Sequence, residues 1–595
     1  MWLLAGSCLS VVILIAMLVR LQVVQPDRYV AKGVGQRQVR TTLVGLRGSI
    51  VDRNGESLAM SLPAVAVVAD PRHVENAEDE ANRLAPVLGM EPARVRAALE
   101  RPDTGFAYVA RQLDAEVGER VVELGLAGVY VIDESRRVNA ADDLAMSIVG
   151  RMDGFGESPI FGLERSLDER LRGTDGEKRF ERGADGATIV GSEEVTKAPA
   201  AGADVTLTID RSLQFWAEVA LEEQVAKTAA AGGTAIVGRP GTGEILAMAN
   251  VVNANGEIRP GKLNLAVRTY EPGSVMKVVT AAAGFETNSV TLDQVITVPG
   301  FIQVADKVVR DSHKHPTEPM TVERIIAESS NVGTIKIAQL VGREKILETL
   351  DRFGFGKMTS LGLHREQAGQ FRRKWYGSDI GSIPIGQSIT ATPLQVWTAY
   401  NTIANRGMYV EPRLISRWTN PDGKVREPQT EPPRRVVSEQ TAGLVTRALE
   451  KVVEDGTGKE WSIPGYNVAA KTGTAYEPVG GGVRGYGTPG NRHYAATFAG
   501  FFPAGNPQLS IIVMIDDPEF GKHFGADAAG PVFDRLAKEG MRRYGIVGDT
   551  AVVSRDKPLR AQPAATTTTT TTTTTVVAPL SPATAPVDAE VASGG

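Results

Sequence analysis

Two pairs of strand-like segments bracket the long middle of this sequence, and no other feature constrains its fold as much. Residues 233–237 and 244–249 are apolar and joined by the turn Arg239-Pro240-Gly241-Thr242-Gly243. Far down the chain, residues 494–502 and 509–515 read the same way. Such strands bury their apolar faces by joining one sheet, and the helical patterns between them must then pack on it. The reading is an α+β domain over 201–547, with a central antiparallel sheet that unites both ends of the segment and is flanked by helices. Residues 205–209 form a strand ahead of it, and Asp210 N-caps a helix that presents Leu213, Trp216, Ala217, Ala220 and Leu221 on one face. Residues 528–544 close the domain as a helix.

A chain of 595 residues is too long for one ordinary domain. Residues 25–200 read as a second, mixed unit. An Asn54-Gly55 turn opens it, 64–69 is a buried strand, 75–101 is helical, and 150–191 is loops and short hairpins. Residues 2–19 are apolar except for Gly6, Ser7 and Ser10, and the helix extends toward Val24. At ~1.5 Å per residue this run nearly spans a ~30 Å hydrocarbon core. No small-residue cleavage site follows it, so residues 1–24 read as an uncleaved transmembrane anchor. Arg20, Arg28 and Lys32 lie after the run, which by charge alone would put the bulk of the chain in the cytoplasm. Residues 548–595 carry an unbroken threonine run at 566–575 and read as a disordered tail.

Composition removes several function classes. A net charge of −5 with scattered Lys and Arg argues against nucleic acid as a partner. The single cysteine, Cys8, excludes an intramolecular disulfide and a cysteine zinc site. His313 and His315 are the only close histidine pair and read as a solvated loop, so no metal and no cofactor is expected.

The chemistry starts at Tyr270-Glu271-Pro272-Gly273-Ser274-Val275-Met276-Lys277, where a helix begins near Ser274. The three-residue spacing sets Lys277 one turn on, on the face of Ser274. A neutral amine there can take the hydroxyl proton, but a lysine must first lose about 3 pKa units, worth ~4–5 kcal/mol. Burial and a second cation supply shifts of that size. Ser-x-x-Lys alone is unspecific, since it recurs at Ser554 and Lys557 beside the tail. Two further segments give it context. Ser329-Ser330-Asn331 precedes an apolar helical run, with Ser329 suited to relay a proton and the Asn331 amide to bind a peptide carbonyl. Lys471-Thr472-Gly473-Thr474 ends a strand; Lys471 is the second cation, and Gly473 lets a substrate backbone approach.

In this order, the three segments resemble the signatures of the penicillin-recognising serine enzymes. Arg47 to Gly55, Gly162-Leu163-Glu164, Leu207-Thr208-Ile209-Asp210, Gly386-Gln387 and Gly530-Pro531-Val532-Phe533 are similar to the class B penicillin-binding proteins in particular. The resemblance implies a transmembrane helix at 1–24, an elongated dimerisation-type pedestal at 25–200 and a transpeptidase domain at 201–547. It implies a D,D-transpeptidase that cross-links stem peptides ending in D-Ala-D-Ala, outside the cytoplasmic membrane, and is acylated by β-lactams. Ser274 would be the nucleophile, Lys277 the general base, Ser329 the relay with Lys471 nearby, Asn331 the amide binder, and Thr472 and Thr474 the carboxylate binders around Gly473. The backbone N–H groups of Ser274 and Thr474 would form the oxyanion hole. Asn331 followed by Val332-Gly333-Thr334 favours the division-specific, FtsI-like branch over the elongation branch. That branch implies an FtsW-type glycosyltransferase and other divisome proteins as partners. A non-catalytic divisome scaffold and a β-lactam sensor are the competing readings.

Overall fold

The computed structural model describes residues 2–20, 22, 37–102, 104–181, 183, 189–477 and 492–548, with side chains from Gly6 onward. The threonine run lies outside the described residues. Helix α1, Trp2–Val19, arises from the apolar N-terminal run, and its described side chains, such as Leu9, Val12 and Leu14, are exposed. Among the described residues no helix is long and apolar enough to cross a membrane.

The pedestal region is built on a sheet that does not stop where the sequence pattern changes. Strands β1 (Ile50–Val51), β2 (Ser57–Ala69), β3 (Ala107–Leu113) and β4 (Val129–Asn139) come from this region, with β2 pairing both β3 and β4 antiparallel. Strand β5 (Asp204–Leu207), expected as the first strand of the second unit, instead runs parallel to β1, with Val205 opposite Ile50. Its other edge pairs with residues from far downstream, Ile415–Thr419. Ile50, Leu58, Ile148, Leu163, Val205 and Leu207 are all buried in one core with the helices of the catalytic region. The helix expected over 75–101 is two, Ala77–Leu88 and Pro92–Leu99, parted where Gly89 takes a left-handed C-cap.

Helix α2 (Arg211–Thr228) starts at the expected cap: Asp210 Oδ1 accepts from the N–H groups of Ser212 (3.1 Å) and Leu213 (3.2 Å). Leu213, Ala217, Ala220 and Leu221 are buried, whereas Trp216 is 37 % exposed with the Arg535 guanidinium over its ring. Trp216 sits at the rim of the apolar stripe, where a ring covered by a cation is stable without full burial.

The central sheet has the expected antiparallel form. Strands β6 (Gly232–Gly238), β7 (Ile245–Ala254) and β8 (Glu257–Pro260) come from the near end of the segment. Strands β9 (Ala469–Glu477), β10 (His493–Phe502) and β11 (Leu509–Asp516) come from the far end. The order is β8-β7-β6-β11-β10-β9, joined across the long insertion by β6 against β11. Between the two strand groups in sequence lie helices α3 (Lys277–Glu286), α4 (Asn331–Val341) and α5 (Pro393–Ala404). Helix α6 (Gly525–Tyr544) follows and packs with α2 on one face of the sheet, its Phe533 ring against Phe498 in a core that includes Val513. Helix α5 packs on β10 and β11 from the other side. Among the described residues strand β9 is therefore the edge strand of this sheet.

Candidate active site

The turn carrying Ser274 is held from three sides. Residues Gly273–Met276 form a single 3₁₀ turn that runs into α3, so the serine stands at a helix start as expected. Ser274 is half-buried while Gly273, Val275 and Met276 are buried. The Tyr400 hydroxyl on α5 donates to Val275 O (3.0 Å), and Gly273 N–H donates to Gly386 O (3.0 Å). Gly386 has φ +78°, and a Cβ there would lie 2.1 Å from Gly273 O, so only glycine fits against this turn.

Strand β9 closes the third side. Its glycine permits close packing, because a Cβ on Gly473 would stand 3.0 Å from Val275 Cγ1 and 3.2 Å from Pro272 O. The strand thus presses on the nucleophile turn. Lys471-Thr472-Gly473 lies inside β9, not at a strand end as the sequence pattern suggested. The Thr472 hydroxyl meets the Thr457 hydroxyl at 2.7 Å, and Thr474 Oγ1 accepts from Gly525 N–H at 3.1 Å.

Lys277 is fully buried and points at the second motif. Its Nζ donates to Ser329 O (2.5 Å), Asn331 Oδ1 (2.8 Å) and Ser329 Oγ (3.2 Å). Among the described residues no hydrogen bond links the Ser274 hydroxyl to this amine. Apo sites commonly hold such contacts long and tighten them around substrate. The Asn331 amide is fixed at its other end, where Nδ2 donates to Arg310 O at 3.0 Å. Ser329 adopts φ +60°, a backbone that a non-glycine residue rarely takes, and this turns its carbonyl and hydroxyl toward one amine.

Burial lowers Lys277 to about 7, against a smaller opposing pull from the Asp311 carboxylate. Lys471 is also fully buried, and among the described residues its Nζ donates only to Thr472 O, at 3.2 Å. Burial, then repulsion from Lys277, holds it well below the ordinary lysine range. The second amine expected near Lys277 is in place, and burial is the first cause of the lowering at both lysines.

Asp311 and its partner His315 join the site without any signal in the sequence pattern. Asp311 accepts from the Ser330 hydroxyl (2.7 Å) and from Val332 N–H (2.9 Å), bracing the first turn of α4. His315 Nε2 meets Asp311 Oδ2, the oxygen that also takes the Ser330 hydroxyl, at 3.0 Å, while Nδ1 meets Pro316 O at 2.7 Å. The loop holding the histidine pair is therefore structured at His315, and the hydrogen bond to Asp311 raises that imidazole's pKa. The Asp-x-x-x-His spacing means nothing by itself; the contact depends on folding against α4.

Residues 233–538 match the penicillin-binding protein transpeptidase domain, and residues 42–159 match the penicillin-binding protein dimerisation domain. The chain is 35 % identical to penicillin-binding protein PbpB of Mycobacterium tuberculosis, over 90 % of this chain and 84 % of the relative. It is 32 % identical to the peptidoglycan D,D-transpeptidase FtsI of Escherichia coli, over 92 % of each. The crystal structure of penicillin-binding protein 3 from M. tuberculosis with aztreonam superposes with a TM-score of 0.67 at 31 % identity, covering 85 % of this chain and 98 % of that one.

Proposed function

The chain belongs to the class B penicillin-binding proteins, the FtsI-like peptidoglycan D,D-transpeptidases, and from that premise we propose that Ser274 is its nucleophile and Lys277 its general base. In this reading the Ser274 oxygen attacks the carbonyl carbon between the two terminal D-alanines, and its proton passes to the neutral Lys277 amine. The C–N bond then breaks. Ser329, with Lys471 behind it, hands a proton to the departing D-alanine amine, which leaves an ester on Ser274. The amine of a second stem peptide attacks that ester, gives up its proton along the same path, and restores the serine. Asn331 binds the donor amide, Thr472 and Thr474 its carboxylate, and the N–H groups of Ser274 and Thr474 the developing oxyanion, a contribution of ~3–4 kcal/mol per donor lost. β-Lactams acylate the same oxygen.

The observation that carries this assignment is the buried Lys277 amine, near pKa 7 and within 3.2 Å of both Ser329 Oγ and Asn331 Oδ1. Only an amine so depressed is a base at neutral pH. The test is covalent labelling of the purified full chain with fluorescent penicillin. Wild type labels at a single peptide containing Ser274, and Ser274→Ala gives none. Labelling that persists in a folded Ser274→Ala protein removes the assignment.

Septal wall synthesis is the role that Asn331 and the FtsI relatives support. Residues 1–24 would anchor the chain, with 25–200 as pedestal and 201–547 as catalytic domain on the extracytoplasmic side, where its substrate lies. An FtsW-type glycosyltransferase is the partner this implies. Co-purification of the full chain with its anchor, recovering no such protein, counts against that partner.

A further inference from the structure

A cavity of about 390 Å³ lies where the pedestal residues meet the catalytic ones, and its charge is one-sided. Arg165 comes from the helix Gly162–Ser166; Lys262 and Arg268 flank the turn Leu265–Val267; His364 and Arg365 come from a loop beyond α4. No carboxylate lines it among the described residues. Some arginines elsewhere meet carboxylates, as Arg47 meets Glu164 and Arg324 meets Glu328. Here the four cations make one side-chain hydrogen bond among the described residues, from Arg165 Nη1 to Ile160 O at 3.2 Å. His364 responds to the crowding: burial, then Arg165 and Arg365, lower its pKa. Arg365 takes φ +64°, a backbone an arginine rarely adopts. The chain carries a net charge of −5, so this wall reverses the overall sign.

We propose that this cavity binds a phosphate ester. Four permanent cations exceed what one carboxylate can meet. A phosphomonoester brings roughly −1.5 to −2 charges, and guanidinium forks match its oxygens in pairs. Phe161, Val267 and Leu363 supply an apolar wall for the body of the ligand. The size suits a small molecule or a headgroup. Bound there, the ligand bridges Arg165 on the pedestal side to Arg268 and Arg365 on the catalytic side. The catalytic side leads straight to the nucleophile segment. Gln367 N–H donates to Val267 O (3.1 Å), and Gln367 Oε1 accepts from Thr269 N–H (2.7 Å) and the Thr269 hydroxyl (2.9 Å), just ahead of Tyr270 and Ser274.

The test is equilibrium binding of inorganic pyrophosphate to the purified full chain, by calorimetry at low and physiological salt. Saturable binding is expected, weakened about tenfold or more by Arg268→Gln and by Arg365→Gln. Arg426→Gln, on an exposed strand away from the cavity, leaves it unchanged. Melting curves of each variant establish that it is folded, and Lys262→Gln replaces any that is not. Competition then separates the sources. Displacement by N-acetylglucosamine 1-phosphate assigns a soluble sugar phosphate, and displacement by phosphatidylglycerol vesicles assigns a lipid headgroup. Absence of saturable binding, equal binding by the folded variants, or displacement by neither competitor overturns the proposal. Penicillin labelling plays no part in these readouts, so this inference and the Ser274 assignment fail separately.

Discussion

Two places in this molecule bury a pair of cations, and they resolve the cost in opposite ways. At the pedestal junction, the Arg47 and Arg137 side chains are 10 % and 5 % exposed. Glu164, itself 1 % exposed, accepts from Arg47 Nε at 2.6 Å and from Arg137 Nε at 2.8 Å. Asp168 meets Arg47 from the other side at 2.5 Å. At the active site, Lys277 and Lys471 are equally buried, yet neither amine touches a carboxylate among the described residues. Where carboxylates are supplied, the charges persist and the site holds two regions together. Where they are withheld, the protons are what yields, and the amine becomes a base. Guanidinium suits the first site because it does not deprotonate, and ammonium suits the second because it does.

The largest effect tests the chemical half of that contrast. Lys277→Met removes the proposed base and is expected to slow acylation of Ser274 by about 10²–10⁴-fold. It also removes a buried amine that lacks a counter-charge, so the melting temperature is expected to hold or rise. Stopped-flow acylation and a melting curve on one preparation measure both. A sharp loss of stability would make Lys277 a structural residue like Arg47 and break the comparison.

Glu164→Gln tests the structural half. It leaves two guanidiniums buried against a neutral amide, and the expected loss is about 3–5 kcal/mol of stability, read from the urea midpoint. The protein that remains folded is expected to acylate within a few fold of wild type, because Glu164 touches nothing in the catalytic turn. Slower acylation at full stability would instead make the junction a control on catalysis.

Asp311 stands between the two cases: a carboxylate near Lys277 that is spent on α4. Asp311→Asn keeps the shape but loses the charge, so acylation is expected to fall by about tenfold as the Ser330 and Val332 bonds weaken. The amine also loses its one favourable carboxylate and titrates lower, moving the pH–rate midpoint down. A slower rate at an unmoved midpoint would leave Asp311 as a brace alone.

How much of this was legible in the sequence follows from the range of each interaction. Ser274 and Lys277 are one helical turn apart, so spacing alone proposed them as a pair. Strands β6, β7, β10 and β11 of the central sheet were readable because each runs apolar over its own length, whereas the short, polar β8 gave no such signal. The cap at Asp210 was readable for the same local reason. Strand β5 was visible as a strand, but its pairing with β1 was not, since Val205 and Ile50 belong to segments that the pattern separates. Asp311 was invisible because its partners, Ser330 and Val332, lie across a loop and acquire meaning only when α4 is in place. Arg137 was invisible too: it reads as one charge among many until Glu164 is folded beneath it.

The smallest expected effect is the most direct reading of the Lys277 amine. Lysine ordinarily titrates near 10.5, and here burial brings the group to about 7. Protonated, it cannot accept the Ser274 proton; neutral, it can. Acylation is therefore expected to rise with pH, with a midpoint close to 7 and a plateau above about pH 8, so that the rate at pH 7 is about half the plateau. Because Lys471 is close enough for Lys277 to lower it, the observed midpoint belongs to the pair. Lys471→Met separates them. With only burial and Asp311 acting on Lys277, the midpoint is expected to stay near 7 while the rate falls. A midpoint that climbs toward the ordinary lysine range in this variant would mean that the neighbouring amine, not burial, sets the base. The active site would then owe its chemistry to a paired charge, as the junction does, only of the opposite sign.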